Sequence, residues 1–281
     1  MIPKTIASLI EQTYKNFEII VVDDGSTDDT KEAIGSIQDN RLKYFKTENA
    51  ERGAARNYGI SKASGNYINY FDSDDLAYPG HLQIAADTIQ KNNFPEFIHL
   101  GYDFKDEQGK VLARINRFNG KVARYAVKKK MIGMMSMFIR RDIAEQFPFS
   151  EDRDFVMGED ALHLCQLAAR FKFYYDNTIT TSVIQHPQRS MNTNDEALLL
   201  YCRDRLIHDL QNDDIFMKKF GQYIPQIGNE YYCLIWISKL KQSDNKSAWK
   251  YFKLYTKADP ENIFNKRTLI FFKNYIHNLF T

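Results

Sequence analysis

The apolar positions of the first hundred residues alternate between two periods. Ile2, Ile6, Leu9, Ile10 and Tyr14 recur at helical spacing, and Pro3 suits a first turn, so a helix is predicted over residues 2–14. A β-branched run, residues 18–22, follows and stops abruptly at Asp23-Asp24-Gly25-Ser26. The pattern then predicts a helix over 28–38 behind a Ser/Thr/Asp-rich cap, a strand over 42–45 and a helix over 53–63 stopped by Gly65. A strand over 67–71 runs into Asp72-Ser73-Asp74-Asp75, a helix runs from Pro79 to Lys91, and a strand covers 97–102. Strands and helices alternating through short links imply right-handed βαβ units, hence an α/β fold with a mostly parallel sheet flanked by helices. In such sheets ligands bind at the carboxyl ends of strands, where both acidic clusters stand.

The middle of the chain is mixed. Residues 104–110 read as a hairpin turn, 134–139 as a strand, 159–171 as a half-buried helix, and 172–175 and 180–184 as strands. Beyond about residue 192 the pattern is helical over 195–212, 216–240, 247–257 and 265–280, with a break at Asp259-Pro260. Two parts follow: residues 1–192, and a helical region over 193–281. From Lys239 onward nine Lys/Arg face three Asp/Glu, a net charge of +6, with Trp249, Tyr251, Phe252, Tyr255, Phe264, Phe271, Phe272, Tyr275 and Phe280 interleaved. One reading is a helical appendage lying on an anionic membrane face. The other, which uses more of the aromatics, is a packed helix pair with a solvated lysine face.

Composition changes this picture little. With 281 residues, 43% hydrophobic and 26% charged, the chain is globular rather than disordered or low in complexity. A net charge of +2 argues against a polyanion binder, so no nucleic-acid partner is expected. Cys165, Cys202 and Cys233 are far apart and lack zinc-site spacing, which reads as buried free thiols in a reducing compartment. No apolar run reaches the roughly 20 residues that span a bilayer, and no secretory signal is present, so a cytoplasmic location is expected.

Four polar clusters carry candidate chemistry. Asp72-Ser73-Asp74 after a strand is a hard-oxygen pair suited to Mg²⁺ or Mn²⁺. Asp23-Asp24 at the end of an earlier strand suits a nucleobase N–H or a ribose hydroxyl. Arg56, in Ala55-Arg56-Asn57-Tyr58-Gly59, offers a fork of donors to a base or phosphate. Asp160, in Gly158-Glu159-Asp160 at a helix start, suits a general base. Taken singly, the acidic clusters are explained as well or better by helix capping and turn formation, and Arg56 by a surface position on an amphipathic helix.

Taken in order, the set is far more specific. Residues 10–14 (IEQTY), Glu18 to Asp28 (EIIVVDDGSTD), Asn49 with Gly53, Ala55-Arg56-Asn57 and Gly59, Gly65 with Tyr67, Phe71 to Asp75, and Glu159-Asp160 resemble a family-2 inverting nucleotide-sugar glycosyltransferase of the GT-A fold over roughly residues 4–190. The resemblance implies a metal-dependent enzyme moving a sugar, from a donor expected to be UDP-linked, to a glycan or lipid-linked acceptor in surface polysaccharide synthesis. It implies that Asp24 reads the nucleobase beside Asp23, that Arg56 lies near base and phosphates, and that Asp72 lies near ribose and metal. It further implies that Asp74 ligates the divalent metal and that Asp160 is the catalytic base. Some GT-A enzymes also place a late histidine on the metal, and His186 stands in such a position, with Arg189 placed to meet the diphosphate; a plain loop histidine beside Pro187 explains His186 equally well. Peripheral contact with the inner membrane face through the C-terminal helices would suit a lipid-linked acceptor.

One departure stands out. The family usually opens with a β-strand ahead of the helix that here begins at Met1, and that strand would be central, beside residues 18–22. Its loss is expected to leave two neighbouring strands with unpaired backbone groups. A start placed too far downstream or a truncated chain is the favoured explanation over a true fragment. The competing function is a non-catalytic nucleotide-sugar-binding scaffold. A dehydrogenase or a sugar-phosphate nucleotidyltransferase is disfavoured because neither GxGxxG nor a Gly-rich phosphate loop is present.

Overall fold

The computed structural model describes residues 1–116, 123, 124, 127, 133–187, 189 and 195–280. The predicted alternation is present: α1 (Ile2–Ile10), β1 (Ile19–Asp24), α2 (Thr30–Gly35), β2 (Leu42–Thr47), α3 (Glu51–Lys62), β3 (Tyr67–Asn69), β4 (Leu76–Ala77), α4 (His81–Lys91) and β5 (Phe97–Asp106). Helix α1 stops at Ile10 rather than near Tyr14. The reason is Gln12, whose buried side chain donates to the carbonyls of Ser8 (2.9 Å) and Tyr78 (2.8 Å) and accepts from the Leu82 N–H (3.0 Å). That side chain ties the end of α1 to the start of α4.

The sheet is mixed rather than mostly parallel. β6 (Val111–Ile115), β7 (Met137–Arg140), α5 (Arg141–Gln146), α6 (Glu159–Arg170) and β8 (Tyr174–Gln185) complete the α/β part. Its larger sheet has the order β3-β7-β5-β8-β4, with β6 on β5. β5–β8 is parallel, while β3–β7, β5–β7, β5–β6 and β4–β8 are antiparallel. Reversals occur where no helix crosses the sheet: β4 follows β3 through the acidic loop alone, and after β5 the chain folds straight back through the predicted hairpin, whose Asp106 Oδ1 accepts the N–H groups of Gln108 and Lys110. The two strands expected over 172–175 and 180–184 are one strand, β8, paired with β5 across register shifts at Leu100–Tyr102.

β1 and β2 form a separate parallel pair, in register from Ile19–Leu42 to Asp24–Thr47. Among the described residues β1 pairs with β2 alone and β3 with β7 alone. A cleft of about 1650 Å³ runs between them, walled by Ile19, Ile20 and Val22 on one side and Tyr67, Ile68 and Asn69 on the other. The expected pair of strands with open edges is therefore present. The small pair is held to the rest by α3 and by Glu18, whose carboxylate accepts from Ser64 N–H (2.7 Å), Ser64 Oγ (2.8 Å) and Gly65 N–H (3.0 Å), just before β3, and pairs with Lys43 at 2.7 Å.

The helical region comprises α7 (Glu196–Gln211), α8 (Asp214–Phe220), α9 (Ile224–Lys241), α10 (Asn245–Ala258) and α11 (Lys266–Phe280). The boundary expected at 192–193 lies outside the described residues. One apolar core crosses it, joining Leu162 and Cys165 of α6 to Leu206, Phe216, Tyr231 and Trp236. All three cysteines are buried, and none is in a disulfide among the described residues. No described helix is long and apolar enough to cross a membrane.

Burial alone would raise the Glu18 pKa, but Lys43, Ser64 and Gly65 outweigh it and bring the carboxyl down to about 2. A folded-state pKa below the unfolded one stabilises above the ordinary carboxylate range, and that gain is lost as pH falls towards 2. Glu18→Gln is expected to cost about 1–2 kcal/mol at pH 7, with the deficit shrinking in urea titrations repeated at successively lower pH.

Candidate active site

At the end of β1 the two aspartates have different tasks. Asp23 is buried and turned inward, accepting from Ser26 N–H (2.7 Å) and Tyr44 Oη (2.5 Å). Burial would raise its pKa, but the bonds from Tyr44 and Ser26, with Lys46 beyond them, hold it below the usual carboxylate range. Asp24 faces the cleft, with Oδ1 accepting from Ala50 N–H (2.7 Å) and Oδ2 from Asn49 Nδ2 (3.2 Å). The chain turns at Gly25 with φ +77°, and a Cβ there would lie 2.8 Å from the Asn49 nitrogen, so glycine is required on both counts.

Beyond β3 the acidic loop gathers three carboxylates. Asp72, Asp74 and Asp75 bring one oxygen each to within 4.8 Å of one another. The end of β8 supplies the counter-groups. His186 Nε2 lies 2.9 Å from Asp74 Oδ2, and Arg189 Nη1 lies 3.6 Å from the same oxygen and 3.3 Å from Asp75 Oδ1. His186, just past β8, thus meets the acidic loop. Capping does not explain these acids either: α4 starts behind Gly80 and has no side-chain cap. Asp75, 1% exposed, is pushed up to about 7 by burial and by Asp72, with Arg189 opposing. The signal for Asp75 in the sequence is a third acid directly after Asp72-Ser73-Asp74. Clustered carboxylates that resist common ionisation, with an imidazole alongside, fit a hard divalent cation such as Mg²⁺ or Mn²⁺.

Arg56 joins this loop to the start of α6. Its largely buried guanidinium stands 3.1 Å from Asp72 Oδ1 and 3.1 Å from Glu159 Oε1, above the Phe149 ring at 5.1 Å. Burial opposes its charge, but Asp72, Glu159 and Asp160 outweigh that and keep it protonated. Glu159 is 4% exposed, with Arg52 Nε a further 3.5 Å away. Burial and Asp160 raise the Glu159 pKa against the pull of Arg52 and Arg56. Arg56 thus stands between two carboxylates on the cleft wall. The role of Glu159 had gone unassigned, since its partner is 103 residues away in the chain.

Asp160 follows in the first turn of α6 and lines the same cleft as Asp24, Asp72 and Asp74. The helical region fixes that turn: Tyr231 Oη donates to the Met157 carbonyl at 2.9 Å. A Cβ on Gly158 would meet Phe155 at 2.4 Å and Tyr231 Oη at 2.8 Å, so the start of α6 is pressed against α9.

Because Asp75 holds its proton more tightly folded than unfolded, its contribution is full below the ordinary carboxylate pKa and is lost as pH rises through about 7. In chelator, stability is expected to fall by about 2–4 kcal/mol between pH 4.5 and 8; Asp75→Asn should flatten that slope, and millimolar Mn²⁺ should restore the wild-type chain at pH 8. Thermal melts across this grid measure all three.

Comparison with known proteins supplies the family. Residues 1–147 match the sequence model described as Glycosyl transferase family 2. An uncharacterized glycosyltransferase of Rickettsia bellii is 36% identical over 170 residues, 59% of this chain and 24% of that protein. The Escherichia coli UDP-Glc:alpha-D-GlcNAc-diphosphoundecaprenol beta-1,3-glucosyltransferase WfgD is 30% identical over 162 residues, 56% of this chain and 62% of that one. The match to four Rickettsia relatives spans between 24% and 33% of their length. In fold, the chain is similar to Staphylococcus aureus TarS 1–349 in complex with UDP, at TM-score 0.65 and 17% identity, covering 93% of this chain and 78% of that one. The complex of TarS 1–349 with UDP-GlcNAc gives 0.63 at 15% identity, covering 93% and 87%. The family model spans just over half of the sequence, and the chain belongs to glycosyl transferase family 2.

Proposed function

We propose that the chain is an inverting glycosyltransferase that moves a sugar from a UDP-linked donor to a hydroxyl of a glycan or lipid-linked acceptor in surface polysaccharide synthesis, working at the inner membrane face. The observation that carries this reading is the single cleft where the Asp72–Asp74–Asp75 cluster and Asp160 converge, tied by Arg56. The WfgD name and the TarS complexes support the donor class.

Asp24, fixed on the loop at Asn49–Ala50, accepts from the nucleobase edge. Asp72 and Arg56 border the ribose and phosphates. Asp74 and Asp72, with His186 alongside, would hold Mn²⁺ or Mg²⁺, which when bound neutralises charge on the diphosphate. Arg189 faces the same phosphates from the end of β8. Asp160 takes the proton of the acceptor hydroxyl as its oxygen bonds to the anomeric carbon. The bond to the diphosphate oxygen breaks on the opposite face and its electron pair leaves with the nucleotide, so configuration inverts. The cleft walls hold both substrates and keep water from the donor.

Calorimetric titration with UDP, GDP, dTDP and CDP, with and without Mn²⁺, tests the donor site. UDP is expected to bind in a metal-dependent manner, and Asp74→Ala is expected to abolish that dependence; absence of nucleotide binding would overturn the reading. Asp160→Asn should retain UDP binding while lowering sugar transfer or donor hydrolysis by about 10²–10⁴-fold. Unchanged turnover in that variant would remove Asp160 as base, and a wild-type chain that binds UDP without turnover would favour the scaffold reading. Gly158→Ala, which forces the start of α6 away from Phe155 and Tyr231, should lower turnover more than UDP affinity.

A further inference from the structure

We propose that the outer face of the α10–α11 helix pair docks onto an anionic lipid bilayer. This deepens the lipid-linked acceptor reading but stands on separate observations. Helix α11 buries Thr268 and Phe271 inward. On another side it exposes Leu269 (70%), Phe272 (41%) and Ile276 (52%), spaced as one stripe, and Phe264 just ahead of the helix is 91% exposed. Adjacent large apolar side chains left in water are costly and mark a contact surface.

The charges around the stripe say what covers it. Lys266 and Lys273 flank it on α11. Helix α10 buries Ala248, Tyr251, Phe252 and Tyr255, and on its outer face exposes Lys246, Lys250, Lys253 and Lys257, again at helical spacing. Trp249 links the two rows, with its ring 6.1 Å from Phe272 and Lys253 Nζ 5.6 Å from the ring centre. Residues 239–281 carry a net charge of +6, whereas residues 1–238 carry −4. Of the carboxylates after Asn245, Asp259 is buried, leaving Glu261 at the surface.

A second copy packed on this face by a two-fold axis would set lysine rows against each other, and the cores of protein interfaces are depleted in lysine. A polyanion without acyl chains would leave Leu269, Phe272 and Ile276 in water. An anionic bilayer answers both features, taking the apolar stripe at its acyl boundary and the lysines at its headgroups. Since no described helix can span a bilayer, the contact is interfacial.

Sedimentation of the whole chain with phosphatidylglycerol–phosphatidylcholine vesicles, against pure phosphatidylcholine vesicles, tests this in the absence of donor. Binding to the anionic vesicles, weakened by added salt, is expected. Trp249 emission should shift to the blue, while Trp236, at 1% exposure, should not respond. Lys250→Gln with Lys253→Gln should lower the partition by about 25-fold, about fivefold for each lysine charge lost. Phe272→Ser with Ile276→Ser should abolish it, with circular dichroism showing the fold intact. No binding to anionic vesicles by the folded chain would overturn the proposal, as would a dimer that Phe272→Ser dissociates while vesicles remain unbound. Either failure leaves the UDP titration and the Asp160→Asn result standing, so the two readings fail separately.

Discussion

The buried Arg56 guanidinium between Asp72 and Glu159 is the contact that the site depends on. It brings together α3, the acidic loop after β3 and the start of α6. Burying ions is costly, and removing one partner of such a set leaves the others uncompensated. Without Arg56, Glu159 would keep Arg52 alone against burial and Asp160. The arrangement is therefore better understood as fixing geometry than as adding stability: it holds the candidate base at a set distance from the candidate metal ligands.

The helices after residue 195 complete that geometry. α6 contributes Leu162 and Cys165 to their core, and Tyr231 grips the carbonyl just before Gly158. The first turn of α6 is thus wedged between Arg56 on one side and α9 on the other. The helical region thus holds the turn that carries Asp160.

Among the described residues β1 and β3 present open edges across the cleft, and the β1–β2 pair is retained by Glu18, Asp24 and α3 rather than by ladder hydrogen bonds. Open strand edges are templates for pairing. Polar clamps at Ser64 and Gly65 join the starts of the two strands through Glu18, and Ala50 fixes Asp24 at the end of β1.

Much of the molecule is written locally. Apolar periodicity placed most helices and strands, because period and punctuation are properties of neighbouring residues, but it missed the short β4 and α5 and joined α8 to α9. The order of the acidic and glycine motifs named the family, and Asp24, Asp72, Asp74, Asp160 and His186 all reached one cleft. Local pattern read the β5–β6 hairpin, but could not show that β3–β7, β5–β7 and β4–β8 run antiparallel, since those directions are set by pairing partners far apart in the chain. Nor could it separate Asp23, turned inward to Tyr44, from Asp24 beside it, or find Glu159 as the partner of Arg56. The aromatic C-terminus divides the same way: composition announced a basic, aromatic segment, but packing decided that Phe271 is core and Phe272 is surface, because burial depends on which face of a helix its neighbours cover.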